Sequence, residues 1–100
     1  MTKKDFAPVT PGEMLKEEFL AEYGLSQNQL AKAICISANR VTEIVNNRRR
    51  ITADTALRLS LYFGNSPEFW MNLQSHYDLK RARNDLKPGD IKRIKARRAA

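Results

Sequence analysis

Apolar residues recur every three or four positions through most of the chain, the period of a helix with one buried face. Met14, Leu15, Phe19 and Leu20 form the first such stripe. Thr10-Pro11-Gly12-Glu13 before it reads as a helix start: Thr10 caps, Pro11 suits the first helical position and Glu13 completes a capping box. Gly24 stops this helix. Ser26 and Gln29 form a second box, followed by the stripe Leu30, Ala31, Ile34 and a break at Cys35-Ile36. Ser37 caps a third helix with Val41, Ile44 and Val45 facing inward, and Asn46-Asn47 suits a left-handed end. Thr52 caps a fourth, containing Ala56, Leu57, Leu59, Leu61 and Phe63 and ended by Gly64. Ser66-Pro67-Glu68 opens a fifth, which runs through Phe69, Trp70, Leu73 and Tyr77 to about Arg83 or Leu86. Lys87-Pro88-Gly89 interrupts the pattern, and Asp90 is expected to cap a last short basic segment anchored by Ile91 and Ile94. No strand-like alternation, repeat or low-complexity tract occurs. The pattern predicts an all-α fold: an arm over 1–9, five helices in a domain over 10–86, and a basic tail over 87–100.

Residues 27–46 carry the functional signal. Two short helices meet across a tight turn, with small Ala31 where they cross and Leu30, Ile34, Ile36, Val41 and Ile44 on the inner side. This is the spacing of a helix-turn-helix, whose second helix presents its outer face to a major groove. The turn position most often filled by glycine is Cys35, where a left-handed backbone costs a side-chain-bearing residue about 1 kcal/mol.

Asn39, Thr42, Glu43 and Asn46 lie at i, i+3, i+4 and i+7 and share one polar face. Ala38 and Asn39 sit near the helix start, where this motif meets base edges. Asn39 can bond adenine at two points, Thr42 and Ala38 can touch a thymine methyl, and Glu43 can accept from cytosine. Arg40 lies to the side, within reach of guanine or a phosphate. The expected base-reading set is therefore Ala38, Asn39, Arg40, Thr42 and Glu43. Gln27, Ser37, Asn46, Arg48, Arg49 and Arg50 are expected to hold phosphates and to position the protein without specifying sequence. A polar face or an arginine triplet alone is also what a solvated surface shows, and Glu43 could simply pair with Arg40 or Arg48. The conjunction of motif spacing, an uncharged polar face and adjacent arginines points to double-stranded DNA.

Charge sharpens this picture. The formal net charge is +7, yet residues 1–79 carry nine Lys/Arg and nine Asp/Glu. Residues 80–100 carry nine basic residues against Asp85 and Asp90, so the whole excess lies there. Such a tail can add phosphate contacts, dock on an acidic partner or serve only solubility. The 42% hydrophobic content supports a folded domain. No apolar run approaches the roughly 20 residues of a membrane span, and no apolar stretch follows the first charges to make a secretory signal. A single cysteine fits a reducing cytoplasm. His76 has no cysteine or carboxylate cluster around its position, and no nucleophile–base pair or phosphate-cradling glycine loop is evident. We therefore expect neither metal, cofactor nor enzymatic activity.

Two-fold DNA sites need two reading helices about 34 Å apart, one turn of the duplex. The fifth helix is the candidate dimer interface, through Trp70, Leu73 and Tyr77. Part of this apolar face must instead close the core, to which Phe69 is assigned and which stands as an equal alternative for Trp70 and Tyr77.

Leu25-Ser26-Gln27-Asn28-Gln29-Leu30-Ala31-Lys32-Ala33 and Arg40-Val41-Thr42-Glu43-Ile44 resemble the Xre/Cro-like helix-turn-helix of phage repressors. Thr10 to Leu15, Glu17 to Leu20, Arg50 to Leu59, Ser66 to Gln74 and Tyr77 to Leu79 are similar to segments of the HigA (VapI-like) antitoxins. The resemblance spans roughly residues 8–86. Thr10 stands where that subgroup often has histidine, and the tail from Lys87 matches no family pattern. The resemblance implies a five-helix, lambda-repressor-like domain acting as a homodimer. It also implies repression of the protein's own operon through an inverted repeat, and a HigB-like mRNA-cleaving toxin that it neutralises. A free-standing repressor without a toxin, and an interaction module that has lost DNA binding, stand as alternatives.

Overall fold

The computed structural model describes residues 9–95 and residue 97, so the expected arm is represented only by exposed Val9, and residues 1–8, 96 and 98–100 lie outside the description. Among the described residues all regular structure is helical. Helix α1 is continuous from Pro11 to Tyr23 but changes winding along its length, with α-helical Pro11–Met14 and Ala21–Tyr23 flanking a π-helical stretch Leu15–Leu20. The remaining helices are α2 (Gln27–Ile34), α3 (Ala38–Val45), α4 (Ala53–Phe63), α5 (Pro67–Asp85) and a short α6 (Pro88–Arg93).

Most starts are those the local sequence dictates. Thr10 and Ser26 each complete a reciprocal capping box, with Glu13 and Gln29. Ser37, Thr52 and Ser66 each accept a backbone N–H three residues on. Gly24 and Gly64 take the left-handed conformation that ends α1 and α4. At the end of α3 it is Asn47, at φ 59°, that turns left-handed, while Asn46 stays at φ −91°. The last helix corrects the expectation for Asp90. Lys87 occupies the capping position, Pro88 begins the helix and Asp90 lies in its first turn, where its negative charge faces the helix dipole.

The π-helical stretch has a packing reason. In a regular α-helix of about 3.6 residues per turn, positions five apart diverge around the axis. Wider winding, seen in the bond from the Ala21 N–H to the Lys16 carbonyl, keeps Leu15 and Leu20 on one face, and both are buried. They join Leu30, Ala31, Ile34, Val41, Ile44, Val45, Ile51, Ala56, Leu59 and Trp70 in a single core. Beside it lies an aromatic cluster in which the Phe19 ring sits 4.8 Å from both the Phe63 and Trp70 rings.

Trp70 corrects one assignment. Its side chain is 0% exposed, and its indole N–H donates to Asn65 Oδ1 at 3.0 Å. A residue with no free surface in the single chain has no area to give an interface. Its neighbour Phe69, expected in the core, is the exposed one at 36%.

Candidate nucleic-acid interface

The helix-turn-helix is built by α2 and α3, and long-range contacts fix its turn. Cys35 is left-handed at φ 60°, and the Ile36 N–H reaches back to the Ala31 carbonyl at 3.0 Å, the bond pattern of a glycine-ended helix made without glycine. Arg58 of α4 donates from Nη1 to the carbonyls of Ile34 at 2.9 Å and Cys35 at 3.2 Å. Its Nε is held by Asp54 at 2.9 Å. The Arg58 hydrogen bond chiefly, opposed by desolvation and aided by the Arg58 charge and by the hydrogen bond and charge of Arg40, holds the Asp54 carboxyl below its ordinary value.

A second clamp sets the other end of α3. The Gly12 N–H donates to Asn47 Oδ1 at 3.1 Å. A Cβ on Gly12 would lie 2.4 Å from the carbonyl oxygens of Ile44 and Val45, so α1 can approach α3 this closely only through glycine.

On α3, Ala38, Asn39, Thr42 and Asn46 are exposed and Glu43 is half-buried. The face is internally organised. Thr42 Oγ1 donates to Gln27 Oε1 at 2.7 Å, which ties an expected base-reading residue to an expected phosphate-holding one across the motif. Asn39 Nδ2 donates to Glu43 Oε2 at 3.3 Å. Arg49 Nε donates to Glu43 Oε1 at 2.7 Å, so Glu43 pairs with Arg49 and not with Arg40 or Arg48.

Arg40 departs from the expected set. Its guanidinium turns away to α4, where Nη2 lies 3.4 Å from both Asp54 Oδ2 and Thr55 Oγ1. This ion pair draws it out of the base-reading face. Ser37 caps α3 through its side chain, and Asn46 caps the other end through its backbone.

The arginine triplet lies on the loop leaving α3. Arg50 pairs with Asp78 of α5, and Gln74 links the same carboxylate to the loop. Gln74 is buried, donates to Asp78 Oδ1 at 2.9 Å and accepts from the Ile51 N–H at 2.8 Å. Desolvation pushes the Asp78 carboxyl up, but hydrogen bonds from Arg50 and Gln74 and the charges of Arg50 and Arg81 outweigh it and hold it below its ordinary value. Sequence periodicity gave no sign of Gln74, Asp78 or Arg58. The partners through which they hold the turn and the loop lie 23 to 28 residues away in the chain.

Of the remaining residues expected at an interface between copies, Leu73 packs half-buried against the core. Tyr77 is half-buried below Arg81. Among the described residues no helix is long and apolar enough to cross a membrane.

The helix-turn-helix family model HTH_3 matches residues 15–70. The chain is 51% identical over 83 residues to virulence-associated protein I of Dichelobacter nodosus, covering 83% of this chain and 77% of that one. It is 42% identical over 84 residues to antitoxin HigA-1 of Vibrio cholerae, covering 84% and 79%. Among solved structures it is similar to PA4674 of Pseudomonas aeruginosa in complex with its operator DNA, at 43% identity and a TM-score of 0.84, covering 90% of this chain and 97% of that one. The matched span contains all of α2, α3 and α4, and the chain belongs to the helix-turn-helix family, in the Xre-type group of HigA antitoxins and VapI-like proteins.

Proposed function

We propose that this protein binds double-stranded operator DNA as a homodimer, with α3 in the major groove, and represses its own operon. The observation that carries the reading is the outer face of α3: exposed Ala38, Asn39 and Thr42, with Thr42 hydrogen-bonded to Gln27 and the arginine loop at the helix end. Small and amide-bearing side chains at a helix start suit base edges, and the loop arginines suit the phosphates on either side. PA4674, similar over 90% of this chain, is bound to operator DNA in its structure, which supports the same use of the fold.

Asn39 and Thr42 specify bases, Ala38 adds apolar contact, and Glu43 orients Asn39 and Arg49. Gln27, Ser37, Asn46 and the arginine loop meet the backbone. The dimer forms along the exposed length of α5, where Met71, Leu79 and Ala82 line an apolar hollow of about 450 Å³. As an antitoxin it also neutralises a HigB-like toxin, the role suggested by its likeness to HigA-1. This is a non-catalytic role in the cytoplasm, where the DNA is.

A gel-shift titration against the DNA upstream of the gene, with scrambled competitor at two salt concentrations, tests the repressor role. A competitor-resistant shift with a two-fold footprint is expected. A shift that competitor abolishes would overturn it. Co-expression with the product of the adjacent reading frame tests the antitoxin role: growth rescue and a stable complex are expected, and neither would leave a free-standing repressor.

A further inference from the structure

Beyond the reading face, the loop after α3 and the middle of α5 enclose an open groove of about 530 Å³. Four arginines line it: Arg48, Arg49 and Arg50 from the loop, and Arg81 from α5. Their charges are not equivalent. Arg49 is paired with Glu43 and Arg50 with Asp78. Among the described residues, Arg48 and Arg81 have no carboxylate within ion-pair distance. Two guanidinium groups without a direct ion pair therefore face one groove, Arg81 acting on the Asp78 carboxylate only through its charge at longer range.

Arg81 is also held in place. Its Cζ lies 5.7 Å from the centre of the Tyr77 ring, which is itself half-buried on α5. A guanidinium seated on an aromatic face keeps its N–H edge free for a planar or tetrahedral oxyanion. The groove begins at the C-terminal end of α3, so an extended anion leaving the reading face enters it.

We propose that this groove is a phosphodiester site, in which Arg81 of α5 and Arg48 of the loop hold one stretch of the DNA backbone. This rests on the DNA-binding reading above, and it assigns α5 a direct role on DNA. It also gives Tyr77 a task different from pairing two copies: it positions Arg81.

The test is the salt dependence of binding to two labelled duplexes, the DNA upstream of the gene and a scrambled version, by fluorescence anisotropy. Each neutralised phosphate contributes about 0.9 to the slope of log affinity against log salt. Arg81→Gln should flatten the slope by about 0.9 per protomer on both duplexes, while Arg83→Gln, outside the groove, leaves it unchanged. Tyr77→Leu should weaken binding about 2–5-fold, and Tyr77→Phe, which keeps an aromatic face, should restore it. An unchanged slope for Arg81→Gln would overturn the site, and so would an equal loss from Arg83→Gln, which would mean a diffuse field. A smaller sedimenting species for Arg81→Gln would make the groove a protein–protein contact. If the wild type bound neither duplex, the DNA-binding reading itself would fall. If it bound both with Arg81 irrelevant, only the groove assignment would.

Discussion

Cys35 and Gly12 are opposite solutions to the same demand for tight geometry. Cys35 adopts a left-handed backbone that costs an ordinary residue roughly 1–2 kcal/mol, while glycine there would cost roughly 0.5–1 kcal/mol in chain entropy. The first figure is larger, so Cys35→Gly should stabilise the fold by about 0.5–1 kcal/mol in urea denaturation. A loss of stability would show that the cysteine side chain makes up the difference. Gly12→Ala should act the other way, because its Cβ would meet two carbonyl oxygens at 2.4 Å. Overpacking of this kind costs about 1–3 kcal/mol, read as a lower Tm, and an unchanged Tm would mean that α1 can withdraw from α3 without penalty. The two residues also differ in how visible they are. The strain at Cys35 was legible because the motif fixes where its turn falls. Gly12 looked like part of a helix start, since its reason for being glycine lies 35 residues away at Asn47.

Helices declare themselves locally. Thr10, Ser26, Ser37, Thr52 and Ser66 each satisfy a donor only three residues on, so short windows of sequence sufficed to place five helix starts. Which side chain faces where depends on neighbours that such windows do not contain. Trp70 and Phe69 are adjacent and both apolar, and it is Asn65 and the Phe19–Phe63 pair that decide which one enters the core. Arg40 leaves the reading face because Asp54 and Thr55 lie opposite it on α4. Glu43 is the clearest case of an interaction that changes function. Its carboxylate restrains Arg49 and Asn39 together and puts a negative charge on the face proposed to meet DNA. Glu43→Ala should therefore tighten binding to scrambled DNA and steepen its salt slope by about 0.9 per protomer, as Arg49 becomes free to meet a phosphate. Discrimination for the upstream site should fall. Weaker binding to the upstream duplex alone, measured by anisotropy, would instead make Glu43 a direct base reader.

For the molecule as a whole, carboxylates hold the reading head to its scaffold. Asp54 fixes Arg58 and thereby the turn before α3, and Asp78 fixes Arg50 and thereby the loop after it. Both carboxyls are held below their ordinary value of about 3.9. A lowered folded value means that the unfolded chain binds more protons in this range. The stabilisation is therefore fully present above about pH 4 and is lost as pH falls through the lowered values. Thermal melts should show Tm falling below pH 4, and Asp78→Asn should reduce that fall. An identical pH profile for the variant would remove Asp78 from the acid response. Charge is distributed at the same scale, with a balanced reading domain and an excess of cations from residue 80 onward. That asymmetry was plain in the sequence, but the groove that brings Arg81 beside Arg48 required the fold.

The claim on which all of this depends is that α3 reads base sequence, and Asn39 tests it most directly. The affinities of the wild type and Asn39→Ala should be compared on the upstream duplex and on its scrambled counterpart at one salt concentration. A loss of about 1–3 kcal/mol on the upstream duplex, with little change on the scrambled one, is the predicted result. An equal loss on both, or none on either, would contradict it.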